Sequence, residues 1–151
     1  GANAKRLIGD AHPASGAGFR AACRLTRAER SRFFPRMFRQ VIKSKLHRAM
    51  VTDADVDYEG SIEIPSDLME AADLWPGEKV LVASITTGAR LETYVLQSAP
   101  GTGKILVNGG AAHRIKAGER VTIMAFGITE TPIKPKMLLM DERNNIVRSS
   151  K

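Results

Sequence analysis

From residue 37 onward the apolar residues come in short, β-branched runs, each closed by a glycine, proline or Asn-Gly turn. That spacing leaves no space for crossover helices of about 10–15 residues and predicts many short strands. "FRQVIKSKLHRAMV" (38–51) reads as one long strand or two broken ones, and "SIEI" (61–64) as a strand ended by Pro65. "SDLMEAADL" (66–74) reads as a short helix with Ser66 as N-cap and Asp67 in its first turn. Pro76-Gly77 leads into "EKVLVASIT" (78–86), and Thr87-Gly88 into "RLETYVLQ" (90–97). The loop "SAPGTGK", "KILVN" (104–108), a tight "GGAAH" turn, "ERVTIMAFGI" (119–128) and "PKMLLMD" (135–141) complete the pattern. A small β-barrel is expected, because closing the sheet removes the edges that so many strands would otherwise expose.

An internal echo points to a barrel of two related halves. "LWPGEKVLVASI" (74–85) and "IKAGERVTIMAF" (115–126) share an apolar residue, then Gly-Glu, a basic residue and Val leading into a strand. Any hairpin can open that way, so the echo alone decides nothing. The same holds for Gly60-Ser61 in "DYEGSIEI" (57–64), which on its own reads as a turn ahead of a strand.

Charge is unevenly spread. The chain has 151 residues and a net charge of +7, yet residues 1–36 hold eight basic and two acidic side chains against 15 and 14 in 37–151. Residues 1–36, rich in Gly, Ala and Arg, are expected to be a disordered basic extension or a non-native segment ahead of a start at Met37. An RNA-binding arm is the sharper alternative, but charge alone carries no sequence information, and no nucleic-acid partner is expected. The single cysteine, Cys23, leaves no pair for an intramolecular disulfide and no set for a cysteine zinc site. There is no run of about 18 apolar residues and no apolar signal core, so a cytoplasmic protein without membrane association is expected.

Two motifs imitate an ATPase. "APGTGK" (99–104) resembles a phosphate loop, and "MLLMDE" (137–142) its magnesium-binding strand. The first glycine of such a loop is replaced by Ser98, and Ile105 stands where the magnesium-binding hydroxyl belongs. The loop opens into "ILVN", a strand, where a phosphate loop needs a helix N-terminus. Tight ATP binding that disappears in Lys104→Ala would overturn this dismissal; no such binding is expected.

"KLHRAMVTDADVDYEGSI" (45–62) carries more than a turn. It resembles the N-terminal signature of the pyruvoyl-dependent aspartate α-decarboxylases, and the likeness continues through "GARLETYVL" (88–96), "VNGGAAH" (107–113) and "KPKMLLMDERNNIV" (134–147). It covers 37–151 and none of 1–36. The resemblance implies a mainly β protein, a small six-stranded double-psi β-barrel with short helices, assembled as a homotetramer. It also implies self-cleavage between Gly60 and Ser61, which turns Ser61 into a covalent pyruvoyl cofactor without metal or pyridoxal phosphate. That group would form a Schiff base with L-aspartate and decarboxylate it to β-alanine for pantothenate and coenzyme A synthesis. A barrel-shaped binding or assembly module that never processes is the alternative from another class.

Site residues follow from the same resemblance. Ser61 is the pyruvoyl precursor, Gly60 carries the scissile bond, and Tyr58 and Thr93 match processing residues, Thr93 also lying with the substrate-binding set. Glycine at 60 is expected to permit a strained backbone for the attack. Tyr94 matches the proton donor, with Arg90 and Lys45 as carboxylate-binding cations. Arg90 and Tyr94 are four residues apart, so a strand places them on one face about 13 Å apart. Asn108, Gly109, Gly110 and Ala111 match a turn whose backbone approaches the substrate. Gly110 and Ala83-Ser84 depart from the family pattern; the latter replaces an aromatic-Asn pair and predicts a wider pocket. His47 and His113 fall in matching blocks without a metal-type partner and carry no expected role.

Overall fold

The computed structural model describes residues 36–150, so the expectations for the basic N-terminal segment fall outside the described residues, Arg36 apart. In chain order the elements are β1 (Arg39–Met50), β2 (Asp53–Asp55), β3 (Ser61–Pro65), α1 (Ser66–Ala72), β4 (Lys79–Ser84) and β5 (Arg90–Ser98). They continue with β6 (Leu106–Asn108), a 3-10 helix (Gly109–His113), β7 (Arg120–Thr129), β8 (Lys136–Met140) and β9 (Ile146–Ser149). All nine strands join one mixed sheet in the order β2-β6-β3-β5-β4-β7-β1-β8-β9.

The sheet is strongly curled. Helix α1 packs against both β3 and β8, which stand five places apart in the strand order. Five strand spacings of about 4.8 Å would span about 24 Å if flat. A seven-residue helix is only about 10 Å long, so the sheet must bend around it. Inside lie Leu46, Ile62, Ile64, Val82, Val95, Val107, Ile123 and Leu138, all fully buried.

One local reading is corrected, one alternative is resolved and two strands are added. Ser66 is not the N-cap: Pro65 holds that position and no side chain caps the helix. The chain passes from β3 into α1 without a linker, and the fixed φ of Pro65, here −55°, makes the corner. The long first strand is continuous, with irregularities between Ile42 and Ser44 and between His47 and Ala49; Arg48, inside the second, has φ +65°. Strands β2 and β9 had no sequence signal, since Asp53-Ala54-Asp55 lacks apolar alternation and every residue of β9 is exposed. Partners create them: β6 for β2 and β8 for β9.

The echo proves structural. Gly77 N–H donates to the Val95 carbonyl while Val95 N–H donates to that of Glu78 (2.7 and 3.0 Å). Gly118 and Glu119 make the same exchange with Val51 (2.8 and 2.9 Å). Each glutamate also accepts a hydrogen bond from the backbone three residues back, Glu78 from Trp75 N–H at 3.0 Å and Glu119 from Lys116 N–H at 2.9 Å. Strands β4 and β7 pair antiparallel with Val82 opposite Ile123, and Leu81–Met124 mirrored by Ala83–Thr122. Val82 and Ile123 occupy the same place in the two halves, so a pseudo-two-fold axis passes between them.

The second glutamate is also an acid-sensitive joint. Burial alone pushes the Glu119 carboxyl up, but hydrogen bonds from Ser84 Oγ, Lys116 N–H and Thr87 Oγ1, with the Lys116 charge, hold it below its ordinary value. A carboxyl lowered in the folded chain stabilises it above the ordinary value of 4.5, and that contribution is lost as pH falls through the lowered folded value. Thermal midpoints measured across that acid range should fall for the wild type, and fall less steeply for Glu119→Gln, which has no charge to lose.

Candidate active site

The change from exposed to buried happens across one peptide bond. Residues 56–60 form an exposed loop, whereas Ser61, the first residue of β3, is fully buried. Strand β3 is bonded on both sides, parallel to β5 and antiparallel to β6. Asn108, the last residue of β6, stands directly opposite Ser61 and is itself buried. Its Nδ2 donates to Ser61 Oγ at 3.2 Å and to Glu63 Oε1 at 2.9 Å. The Ser61 hydroxyl in turn faces the Glu59 carbonyl at 3.4 Å.

The parallel register pairs Ile62 with Val95, so one residue earlier Ser61 is level with Tyr94 and on the same face. Tyr94 is opposite Lys79 on β4. One row across the sheet therefore reads Asn108, Ser61, Tyr94, Lys79. Tyr94 is 38% exposed, a wet neighbour to a buried hydroxyl. Arg90 and Glu92 share the exposed face of β5 with Tyr94, and Arg90 lies beyond the start of β3. Thr93 turns to the opposite face, between Leu91 and Val95.

The glycines have exchanged parts relative to expectation. Gly60 is not among the positive-φ residues, and a Cβ built on it meets nothing within 4 Å, so the strained backbone expected there is absent. The left-handed residue is Gly109, at φ +65°. A Cβ on Gly109 would lie 2.7 Å from both N and Cα of Gly60 and 2.9 Å from the Tyr58 carbonyl. The turn expected to face substrate thus lies against Gly60 and Tyr58, while a Cβ on Gly110 would have open space and Ala111 is half-buried. Tyr58 itself is exposed and brings its carbonyl to that contact.

Lys45 is not drawn into this group. It lies on β1 between Met124 and Met137, with β4 and β7 separating its strand from β5. It lines a cleft of about 380 Å³ with His47, Arg148 and Ser150. Burial, then the Lys45 and Arg48 charges, push the His47 imidazole below its ordinary value, so it is largely neutral at pH 7. Ser84 is buried and donates to Glu119, while Ala83, at the aromatic position of the family pattern, stands beside Arg90. Glu63 escaped the sequence reading, although an acid two residues after Ser61 in a strand must share its face. Among the described residues no group of three or more His, Cys, Asp and Glu could hold a metal ion, and no helix is long and apolar enough to cross a membrane.

The chain is similar to proteins that are already known. The model of the aspartate decarboxylase family matches residues 37–147. The chain belongs to that family. The aspartate 1-decarboxylase of Listeria welshimeri serovar 6b is 45% identical over 114 residues, covering 73% of this chain and 90% of that protein. That of Listeria monocytogenes serovar 1/2a is 44% identical over the same shares. Among solved structures, the computationally designed msDPBB_sym2 protein aligns with 58% of this chain and 99% of its own at 14% identity, with a TM-score of 0.36, a likeness that carries no argument. Membership makes the chain a pyruvoyl-dependent carboxy-lyase.

The contact at Gly109 can be separated from its dihedral. Gly88 has φ +79° and open space around its Cβ position. In both Gly109→Ala and Gly88→Ala a side chain in left-handed backbone costs about 1–2 kcal/mol. Only the first also pushes on Gly60. Cleavage of the folded protein, followed by mass, should slow about tenfold or more in Gly109→Ala and stay within about twofold of wild type in Gly88→Ala.

Proposed function

We propose that this aspartate decarboxylase cleaves itself between Gly60 and Ser61 and then converts L-aspartate to β-alanine and CO2, in the cytoplasm, for pantothenate and coenzyme A synthesis. The observation that carries the reading is the buried Ser61 hydroxyl, held by Asn108 at the first residue of β3, immediately behind an exposed loop. Ser61 Oγ attacks the Gly60 carbonyl; the new C–O bond replaces the peptide C–N bond, and the freed nitrogen takes the hydroxyl proton. Elimination then removes the Cα proton to a base and breaks Cβ–Oγ, releasing Gly60 as a carboxylate. Water converts the remaining dehydroalanine to the pyruvoyl group and ammonia. Tyr58, whose carbonyl lies in the Gly109 contact, and Thr93 are assigned to this processing stage.

The pyruvoyl ketone supplies the electron sink that decarboxylation needs. Around it, Arg90 clamps a substrate carboxylate through its planar guanidinium. Tyr94, level with residue 61 and partly wet, returns a proton to the substrate α-carbon. The backbone of Asn108, Gly109, Gly110 and Ala111 completes the substrate-binding set, which Thr93, on the opposite face of β5, does not join. Ala83, opposite Arg90, leaves space beside the guanidinium, so a dicarboxylate longer than aspartate is a fair competitor to assay.

Lys45, the second carboxylate cation, lines a separate cleft, which supports assembly. A homotetramer that sets one copy's Lys45 against another copy's β5 face supplies both cations. The exposed Phe126 and Ile128, the latter 76% exposed, line a further cleft that assembly would cover. We assign the fold to six-stranded double-psi barrels, with β1, β3, β4, β5, β7 and β8 as the barrel and the short β2, β6 and β9 as additions. The paired exchanges at Gly77 and Gly118 support that assignment.

Mass spectrometry of the purified protein tests the reading. Two fragments split at Gly60/Ser61, the larger without an N-terminal amine, are expected, and Ser61→Ala should leave the chain whole and inactive. A wild-type chain that stays intact through long warm incubation would favour an unprocessed binding module instead.

A further inference from the structure

We propose that Glu63 is a positioning residue for maturation: it fixes the Asn108 amide with its NH2 group toward Ser61. The inference rests on self-cleavage at Gly60–Ser61. A carboxamide presents a donor group or an acceptor oxygen, and nothing in its shape decides which faces a neighbour. Here a second contact decides. Asn108 Nδ2 spends one hydrogen on Ser61 Oγ at 3.2 Å and the other on Glu63 Oε1 at 2.9 Å. Turning the amide over would set its oxygen against the glutamate carboxylate, two acceptors with no proton between them. Glu63 can reach because it is two residues along β3 from Ser61, on the same face and diagonal to Asn108 across the β3–β6 pair.

The fixed donor matters because Oγ changes character during cleavage. It begins as a hydroxyl, becomes the bridging oxygen of the Gly60 ester, and departs as an oxygen of the Gly60 carboxylate when Cβ–Oγ breaks. Negative charge grows on it in the last step, and the Nδ2–H bond meets that charge with a donor already in place. It also takes a lone pair of the starting hydroxyl, leaving the Ser61 proton directed at the Glu59 carbonyl, 3.4 Å away. Losing the anchor leaves the amide free to turn, and elimination should suffer more than ester formation.

Time courses of full-length wild type, Glu63→Ala, Glu63→Val and Glu63→Gln, with and without hydroxylamine, test this. Hydroxylamine cuts the ester to a Gly60 hydroxamate and leaves Ser61 with a free amine, so mass reports how much ester has accumulated. Loss of one hydrogen bond predicts that Glu63→Ala matures about three- to tenfold more slowly. Its hydroxylamine-cleavable fraction should be larger than in wild type. Val, a strand former without an acceptor, should behave alike, and Gln, which keeps an acceptor oxygen, should mature at nearly the wild-type rate. The inference is overturned if Ala and Val mature like wild type, if Gln is as slow as Ala, or if slowing follows a lowered thermal midpoint with no extra ester. A wild-type chain that never cleaves would overturn the functional reading as well, which distinguishes the two failures.

Discussion

Strand β3 is hydrogen-bonded along both edges, and the site depends on that confinement. With β5 parallel on one side and β6 antiparallel on the other, the first residue of β3 has no freedom to swing outward. The parallel neighbour brings Tyr94 level with Ser61, and the antiparallel one brings Asn108. A serine at the mouth of an edge strand would be hydrated and mobile; here its hydroxyl is buried and has defined partners. Fixed geometry of this kind is what the proposed attack of Ser61 on a peptide carbonyl requires, since alignment supplies what the hydroxyl's acidity does not.

The remaining buried polar groups hold the frame that confines β3. Asn144, at φ +60°, bonds N–H and carbonyl of Met50 and the carbonyl of Gly103, joining the end of β1 to the loop after β5. That loop is the phosphate-loop imitation. Its Gly103 is needed because a Cβ would lie 2.6 Å from the Arg143 carbonyl, and its Gly101 N–H is taken by Asp67. The glycines serve packing between loops, and the lysine that follows them opens no helix.

Much of the barrel was legible in the sequence because its longer strands are apolar runs rich in β-branched residues and its turns carry glycine or proline. Strands β4, β5, β7 and β8 appear within about two residues of expectation, the usual precision for element ends. What could not be read was whatever depends on a partner: β2 and β9 exist only through their neighbours, and the Pro65 corner only through the direct join of strand to helix. The site divides in the same way. The motifs picked out Ser61 and Asn108, and the fold sets them side by side. Register alone assigned Thr93 to the other face of β5, set Lys45 apart, and moved the conformational demand from Gly60 to Gly109.

The axis between Val82 and Ile123 gives the molecule two equivalent places where chemistry might have been installed. Lys79 faces Tyr94 in one half, and its counterpart Arg120 faces Met50 in the other; next along, Val80 faces Thr93, and Val121 faces Ala49. A duplicated half-chain would begin with identical residues at both sites. The phenol and hydroxyl stand on one side only, opposite a thioether and a methyl group. Departures from internal symmetry, found by laying the chain over itself, therefore point to the same half as the proposed site and need no relative for comparison.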